Sequence, residues 1–172
     1  MGLMLTTICF ASADLKVDDS APIFKAQTQS GAAFDLSLRQ GKDKWTVLYF
    51  YPKAGTPGCT KQACAFRDSL TKIKELGAEV YGISADSVAD QAKFHKEHKL
   101  NFDLIADPDD KVVDLYGSKM PMLKMSKRWT FILDGDLKIR DIMKDVDPMI
   151  DSDRVAKVIA SLKKGNGSVP AH

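Results

Sequence analysis

The sequence predicts a single domain of the α/β class, in which helices flank a mixed central β-sheet. Three observations carry this prediction. Strand-like segments alternate with amphipathic helical segments along most of the chain, and a tight hairpin signature, Asp134-Gly135-Asp136, adds an antiparallel pair late in the sequence. The length of 172 residues is enough for one hydrophobic core without disulfide bonds, and no repeat or linker divides the chain.

The first half of the chain predicts a hairpin, a central strand and a long helix. Pro22 to Leu38 alternates short apolar stretches with Gly31 and polar residues, which indicates a small hairpin followed by a turn of helix. Lys44 to Tyr51 is apolar on both faces from Val47 onward, as in a central strand that is covered on both sides. Apolar residues then recur at helical spacing up to Gly77, where we expect the helix to end: Ala63, Phe66, Leu70, Ile73 and Leu76.

The second half continues the alternation of strands and helices. In chain order we predict the strand Ala78 to Ser84, the helix Val88 to His98, the strand Phe102 to Ile105, the helix Lys111 to Tyr116, the strands Trp129 to Leu133 and Leu137 to Met143, and the helix Asp153 to Lys164. The acidic run Asp107 to Asp110 lacks the glycine and the distal glutamate of a calcium-binding loop. We therefore interpret it as a solvated turn and helix start.

The composition is typical of a globular protein and argues against two kinds of partner. The formal net charge is only +2, which is too small to indicate nucleic-acid binding. Apolar runs fall well short of the roughly 20 residues that a membrane-spanning helix needs. We therefore expect a soluble domain with no stable membrane association.

The two ends of the chain differ in composition from the predicted domain, which we assign to residues 14–164. Met1 to Phe10 is apolar and leads into Ala11-Ser12-Ala13, the small-x-small form of a signal-peptidase site, but no Lys or Arg precedes the apolar part. Residues 1–13 are therefore either a signal peptide or an N-terminal extension. The protein is expected to be periplasmic or secreted in the first case and cytoplasmic in the second. Residues 165–172 are expected to form a flexible tail.

Two of the three cysteines lie close together in the stretch YPKAGTPGCTKQAC, and Cys9, in the N-terminal segment, is expected to be chemically silent. Thr56 followed by Pro57 predicts a helix start, because the hydroxyl can cap free amide groups and proline suits the first helical position. Cys59 then falls in the first turn, where unpaired amide groups and the positive end of the helix dipole favour a thiolate. We therefore interpret Cys59 as a nucleophile.

Cys59 and Cys64 lie too far apart on an intact helix to form a disulfide bond. Five residues along an ideal helix separate two Cα atoms by roughly 8 to 9 Å, whereas a disulfide needs about 7 Å or less. The pair can join only if the first turn or two of the helix unravels, which favours a switchable bridge over a static one. Two other interpretations stay open: reduced cysteines that act as small apolar residues, and a zinc site with His95 and His98, whose spacing matches known ligand patterns poorly.

The residues around Cys59 resemble the active-site motif of a known family. Pro52-x3-Thr56-x2-Cys59 matches the pattern of the peroxiredoxins, and YPKAGTPGCTKQACAFRD is similar to their Q-type branch, also called bacterioferritin comigratory protein. A looser resemblance extends from about Leu15 to Lys164 and includes RWTFILD, from Arg128 onward, where the family usually has Arg-x-Thr-Phe-x-x-Asp. The resemblance implies a thioredoxin-like fold and the reduction of hydrogen peroxide and organic hydroperoxides without a metal, haem, flavin or other cofactor.

The resemblance also implies a role for each residue of the motif. Cys59 attacks the peroxide and becomes a sulfenic acid. Arg128 and the N–H groups at the helix start stabilise the thiolate and the charge that develops on the leaving oxygen. Thr56 hydrogen-bonds the peroxide, and Pro52 shields the pocket from water. Cys64 is the resolving cysteine, and the Cys59–Cys64 disulfide is then reduced by thioredoxin or a similar thiol donor.

Two rival functions and one rival residue compete with this interpretation. A thiol–disulfide oxidoreductase of the same fold normally uses a C-x-x-C spacing, and a non-enzymatic zinc-binding module would need a better set of ligands. Arg67 competes with Arg128 for the charge role, but it lies about two helical turns past Cys59 and better suits a structural pair with Asp68 or Glu75. We expect a monomer.

Other positions depart from the common forms of the family or stand apart from its motif. Ala54 stands where an acidic residue is frequent, and Gln62 stands where glutamate is frequent. We expect neither to handle the peroxide, so the chemistry should stay intact while the local field and the reductase contact change. Met120 to Met125 (MPMLKM) is either an adaptable apolar rim for bulky hydroperoxides or a docking partner, or, as we prefer, part of the core or a loop anchor.

Overall fold

The computed structural model describes residues 14–41 and 43–165. Both interpretations of residues 1–13, with Cys9, therefore concern a segment outside the described residues. The residues of the predicted tail beyond Gly165 also lie outside the described residues, so these expectations stay predictions.

Within the described residues, seven strands form one sheet, and four α-helices cover it. The strands are β1 (Lys25–Thr28), β2 (Ala33–Asp35), β3 (Trp45–Phe50), β4 (Ala78–Ser84), β5 (Leu104–Ala106), β6 (Trp129–Leu133) and β7 (Ile139–Met143). The helices are α1 (Pro57–Glu75), α2 (Val88–Glu97), α3 (Lys111–Leu115) and α4 (Asp151–Lys164), and a short 3-10 turn, Leu36–Arg39, follows β2. All the predicted elements are present, and their ends differ from the prediction by one or two residues.

The sheet is mixed, as predicted, and β3 lies near its centre. The strand order is β2-β1-β5-β4-β3-β6-β7. β3 pairs in parallel with β4, and β4 pairs in parallel with β5, whereas the pairs β3–β6, β6–β7, β1–β5 and β1–β2 are antiparallel. The parallel pairs are joined by helical crossovers, and the antiparallel hairpin comes last, so the α/β class is confirmed.

The central strand divides the hydrophobic core into two layers. Val47 and Tyr49 are fully buried and pack in the layer that contains residues of α1, α2 and α4. Leu48 and Phe50 are equally buried but pack in the other layer, with α3 and the 3-10 turn. This confirms a strand that is apolar on both faces, and it explains why β3 can hold the loop that follows it in a defined position.

Three elements begin two residues away from their predicted start. α4 begins at Asp151 rather than at Asp153, which brings a buried carboxyl group into its first turn. β7 begins at Ile139 rather than at Leu137, because Leu137 has a φ of +58° and closes the hairpin turn with its N–H on the carbonyl of Asp134. β5 begins at Leu104, two residues later than predicted.

Candidate active site

The loop between β3 and α1 is held by a buried carboxylate. Asp86 accepts hydrogen bonds from the backbone N–H of Ala54 at 2.8 Å and from the hydroxyl of Ser84 at 2.7 Å. The ammonium of Lys53 lies 3.9 Å from the same carboxylate. Pro52, half-buried, opens the loop directly after the strand residues. These contacts fix the path of the chain into α1.

Thr56 is the N-cap residue of α1, but its hydroxyl does not cap the helix. Its backbone is extended, with φ −78° and ψ 153°, and its carbonyl accepts the N–H of Thr60 at 2.9 Å, while Pro57 occupies the first helical position as predicted. The hydroxyl instead donates to the carbonyl of Lys53 at 2.9 Å. The predicted hydroxyl cap is therefore wrong: the hydroxyl donates to a carbonyl of the preceding loop, and its oxygen accepts from no N–H group of the helix start.

Cys59 lies in the first turn of α1 and contacts Arg128. Its side chain is 1% exposed, and Nη2 of Arg128 donates to its Sγ at 3.4 Å. Arg128 comes from the neighbouring strand: Trp129 pairs with Phe50 at the end of β3, so the residue before it lies beside the loop that leads to α1. A cation is thus placed against a sulfur that is already at the amide-rich end of a helix.

Gly58 makes room for this contact. A Cβ atom at this position would lie 3.2 Å from Nη2 of Arg128, which is tighter than most Cβ contacts, so a larger residue would require the guanidinium to shift slightly. Sequence reasoning did not single out Gly58. Its importance depends on Arg128, a residue far away in the chain, which no local pattern reports.

Arg128 has a second contact that the sequence analysis did not anticipate. Its Nη1 donates to Oε1 of Gln62 at 2.6 Å, and Nε2 of Gln62 donates to Oδ2 of Asp151 at 2.9 Å. Thr130 donates its hydroxyl to the same oxygen of Asp151 at 2.7 Å. Gln62 was expected to change only the local field and the reductase contact, but it lies directly against the arginine of the site. The frequent glutamate at this position was the only sequence signal that pointed to it.

The carboxyl group of Asp151 is buried within a small charged cluster. Its other oxygen lies 3.5 Å from Nε of Arg154, whose Nη1 lies 2.6 Å from Asp141. Burial raises the pKa of Asp151, although the hydrogen bond from Thr130, the charge of Arg154 and the amide of Gln62 act in the opposite direction. Arg154 thus lies between the carboxyl groups of Asp151 and Asp141. On the other side of Asp151, Gln62 connects it to Arg128.

Cys64 lies on the same helix and is half-buried, and both cysteines are reduced. α1 runs unbroken from Pro57 to Glu75, so the helical separation of roughly 8 to 9 Å between the two Cα atoms applies. Arg67 pairs with Asp68 at 2.8 Å and donates to the carbonyl of His98 at 2.8 Å. The predicted structural pairing of Arg67 with Asp68 is therefore confirmed, and neither of these contacts of Arg67 involves Cys59.

The expectation for Met120 to Met125 can also be compared with the structure. Met122 is fully exposed and Leu123 is about half exposed, so of the preferred interpretation of Met120 to Met125, core or loop anchor, the core alternative is wrong at these two positions. The stretch forms a loop whose ends are joined by the N–H of Met120 and the carbonyl of Met125 at 2.9 Å. Met122, with φ +60°, lies in the turn of this loop and belongs to neither core layer.

The described part of the chain offers neither a metal cluster nor a membrane-spanning helix. Within residues 14–41 and 43–165, no group of three or more His, Cys, Asp or Glu side chains is arranged to hold a metal ion. Over the same residues, no helix is both long and apolar enough to cross a membrane.

A buried cysteine at the start of the helix that follows the central strand, with an arginine that donates to its sulfur, is the electropositive environment of a reactive thiol. The AhpC/TSA family matches residues 17–142. Peroxiredoxin Q of rice chloroplasts (Oryza sativa subsp. japonica) is 45% identical over 122 residues, which cover 67% of this chain and 52% of the rice protein. This chain therefore spans about half the length of the rice relative.

Two other relatives match over most of their length. Peroxiredoxin Bcp of Escherichia coli K12 is 38% identical over 137 residues, which cover 76% of this chain and 86% of the relative. The crystal structure of peroxidoxin BcpB from Mycobacterium tuberculosis has a TM-score of 0.80 at 34% identity and covers 86% of this chain and 98% of that one. The chain belongs to the AhpC/TSA family of peroxiredoxins, in the Q/Bcp branch, and its fold is thioredoxin-like.

Proposed function

We propose that this protein is a thiol-dependent peroxidase that reduces hydrogen peroxide and organic hydroperoxides through Cys59. The observation that carries the proposal is the contact between Nη2 of Arg128 and Sγ of Cys59 at the start of α1. A guanidinium in this position stabilises the thiolate, which is the reactive form of the thiol. Membership of the peroxiredoxin Q/Bcp branch supports the same chemistry.

The first step is a displacement at oxygen. The Cys59 thiolate attacks the terminal oxygen of the hydroperoxide, so an S–O bond forms while the O–O bond breaks. The electron pair of the O–O bond leaves with the second oxygen, which takes up a proton as water or an alcohol. Arg128 and the free N–H groups of the first helical turn stabilise the negative charge that develops on the leaving oxygen. The sulfur is oxidised to a sulfenic acid.

Thr56 and Pro52 have supporting roles in this proposal. The hydroxyl proton of Thr56 is donated to the carbonyl of Lys53, so its oxygen lone pairs remain available to accept the hydroxyl hydrogen of the bound peroxide. Pro52, half-buried in the loop before α1, would limit access of water to the sulfur. Asp86 supports both residues indirectly, because it anchors the loop that carries them.

The second step forms a disulfide bond within the chain. The Cys64 thiolate attacks the sulfenic sulfur of Cys59, the S–S bond replaces the S–O bond, and the oxygen leaves as water after protonation. Both cysteines lie in the intact helix α1, so the first one or two turns must unravel before the sulfurs meet. A dithiol donor such as thioredoxin would then restore both thiols by exchange.

Cysteine variants test the proposal directly. Cys59→Ser should abolish peroxide consumption, and Cys64→Ser should consume one equivalent and then accumulate sulfenic or over-oxidised Cys59, detected by intact mass. Cys9→Ser is the matched control, and it should keep the activity of the unmodified protein. A Cys59→Ser protein that still consumes peroxide would refute the peroxidatic assignment. A Cys64→Ser protein that turns over normally with thioredoxin would refute the resolving assignment alone.

A further inference from the structure

Arg67 follows Cys64 by about one turn of α1, on the same side of the helix. Residues three apart on a helix have Cβ atoms about 5 to 6 Å from one another. Helical side chains lean towards the N-terminus of their helix, so Arg67 leans over Cys64, whereas Lys61, three residues before Cys64, leans away from it. Cys64 is half-buried, and α1 is unbroken between the two residues. Arg67 is therefore well placed to act on the Cys64 sulfur.

The guanidinium of Arg67 is held in place by two hydrogen bonds. Its Nε donates to Asp68 at 2.8 Å, and its Nη1 donates to the backbone carbonyl of His98, at the end of α2, at 2.8 Å. The carbonyl of Arg67 also accepts from the side-chain amide of Asn101 at 3.2 Å. Among the described residues, Nη2 donates to no other group. An arginine that is already fixed loses little further side-chain freedom when it stabilises a neighbouring charge.

The charges of Arg67 and of the Cys64 sulfur are coupled. The hydrogen bond to Asp68 raises the pKa of Arg67 most, burial acts in the opposite direction, and the negative charge of an ionised Cys64 raises this pKa further. An interaction between two charges acts on both partners, so the guanidinium in turn favours the thiolate of Cys64. The thiolate is the nucleophilic form of a cysteine.

Other ionisable groups around Cys64 act less directly on its sulfur. Asp68 carries a negative charge that opposes a thiolate, and its pairing with Arg67 compensates part of that charge. Lys72 lies about two turns after Cys64 and faces a carboxylate of α4 at 3.9 Å. The ring of His98 packs against an aromatic side chain of α2. The local balance of charge therefore depends mainly on Arg67 and Asp68.

We propose that Arg67 is a positioning residue for the second step of the cycle: it favours the Cys64 thiolate, which attacks the sulfenic sulfur of Cys59. In this attack the S–S bond forms, the S–O bond breaks, and the oxygen leaves with its electron pair and takes up a proton to become water. The inference rests on the proposed function and concerns only its second step. Each cysteine then has its own arginine, Arg128 for the reaction with peroxide and Arg67 for the formation of the disulfide.

Three variants separate the charge of Arg67 from its structural role. Arg67→Met removes the charge and both hydrogen bonds of the guanidinium, and Arg67→Lys keeps a cation without the planar guanidinium. Asp68→Asn keeps an acceptor for Nε of Arg67 but removes the opposing carboxylate. Arg140→Met is the matched control, because Arg140 faces two carboxylates, at 3.3 and 3.7 Å, but belongs to β7 at the edge of the sheet.

Two functional readouts are compared with the melting temperature. The first is the first-order rate constant of disulfide formation after one equivalent of hydrogen peroxide at pH 7, measured by acid quenching and intact mass. The second is the pH profile of Cys64 alkylation by iodoacetamide in a Cys59→Ser background, measured by peptide mass. Failure of the proposed function would appear as a lack of peroxide reaction or as normal cycling of the Cys64→Ser protein. The alkylation profile needs neither peroxide nor a disulfide, so it tests the role of Arg67 separately.

Arg67→Met should slow disulfide formation by about two- to fivefold and move the alkylation profile to higher pH. The effect is modest because the Arg67 side chain is 31% exposed, so solvent screens its charge. Arg67→Lys should stay within about twofold of the unmodified protein, since the charge is kept. Asp68→Asn should move the profile to lower pH, because a negative charge is removed while Arg67 keeps an acceptor. Arg140→Met should match the unmodified protein in both functional readouts.

A folded Arg67→Met protein with an unchanged rate of disulfide formation and an unchanged alkylation profile would overturn the inference. A shift to higher pH in both Arg67→Met and Asp68→Asn would also overturn it, since a disturbed helix rather than a changed charge would then explain the two results. If Arg67→Met does not fold, Asp68→Asn decides. This variant keeps Arg67, and a profile that fails to move to lower pH would contradict a role for the charge of Arg67.

Discussion

Removal of the Arg128 guanidinium should slow the reaction with peroxide more than it changes the fold. The residue donates one hydrogen bond to Sγ of Cys59, at 3.4 Å, and one to Gln62, at 2.6 Å. Arg128→Met keeps the aliphatic part of the side chain and removes both bonds. Removal of the first bond acts on the thiolate and on the transition state, and removal of the second leaves a buried acceptor without its donor.

The size of the effect follows from the single hydrogen bond that Arg128 donates to the sulfur. A hydrogen bond to a charged group is worth about 1.5 to 3 kcal/mol, and each 1.4 kcal/mol corresponds to about a tenfold change in rate. The second-order rate constant should therefore fall by about 10- to 150-fold. The unpaired oxygen of Gln62 should lower the free energy of unfolding by about 1 to 3 kcal/mol, so the fold should persist.

The assay is a rapid-mixing single turnover with hydrogen peroxide, followed by mass spectrometry of the oxidised protein, with urea unfolding measured on the same samples. Arg67→Met is the matched control. It removes an arginine that pairs with Asp68 and His98, so it should lower stability without slowing oxidation of Cys59. If folded Arg128→Met protein reacted with peroxide as fast as Arg67→Met protein, the electrostatic argument for the site would be refuted.

Three other predictions concern stability and the two-step cycle. Burial raises the pKa of Asp107 to about 6, so the folded state binds more protons than the unfolded state between about pH 4 and 6, and stability should fall as pH rises through this window. Asp107→Asn should remove this pH dependence, which is worth about 2 to 3 kcal/mol of unfolding free energy between pH 4 and pH 7, as measured by urea unfolding. If the unfolding free energies of the two proteins changed in parallel with pH, this prediction would be contradicted. Gly58→Ala should slow the peroxide reaction several-fold without lowering the melting temperature, because the added Cβ displaces Arg128 while alanine favours the helix; an unchanged rate would show that the guanidinium can relocate. One equivalent of peroxide should abolish hydrogen-exchange protection in the first two turns of α1 but not in α4, and a crosslinked protein with α1 still protected would exclude the unravelling step.

Local patterns in the sequence were sufficient for the order and the type of the elements. The alternation of apolar residues changes from the period of a strand to that of a helix between Tyr51 and Ala63, and this change is independent of the rest of the fold. Pro57 at the first helical position and Cys59 in the first turn could be predicted for the same reason. Such features depend on neighbours within a few residues, so they can be read without knowing the tertiary structure.

Other features depended on which orientation a side chain adopts. The hydroxyl of Thr56 donates to the carbonyl of Lys53 and does not cap the amide groups of α1, and only the path of the loop decided this geometry. Met122 lies in an apolar stretch but is exposed, since the loop that carries it turns away from the core. Composition predicts how much apolar surface should be buried but not which residue of a loop buries it.

The sequence by itself determined the α/β class, the helix start that carries Cys59, and the choice of Arg128 over Arg67 that the family resemblance supported. Only the tertiary structure showed that Gly58 and Gln62 adjoin the arginine and that Asp151 accepts a hydrogen bond from Gln62 behind it. These residues come from α1 and from the start of α4, and they meet Arg128 only where β6 pairs with β3. Contacts between residues so far apart in the chain arise from packing of the whole domain, and burial then makes each unpaired donor or acceptor costly. Because of this free-energy cost, buried polar side chains must find hydrogen-bond partners in the folded protein. Which residues become partners cannot be inferred from the neighbouring residues in the sequence.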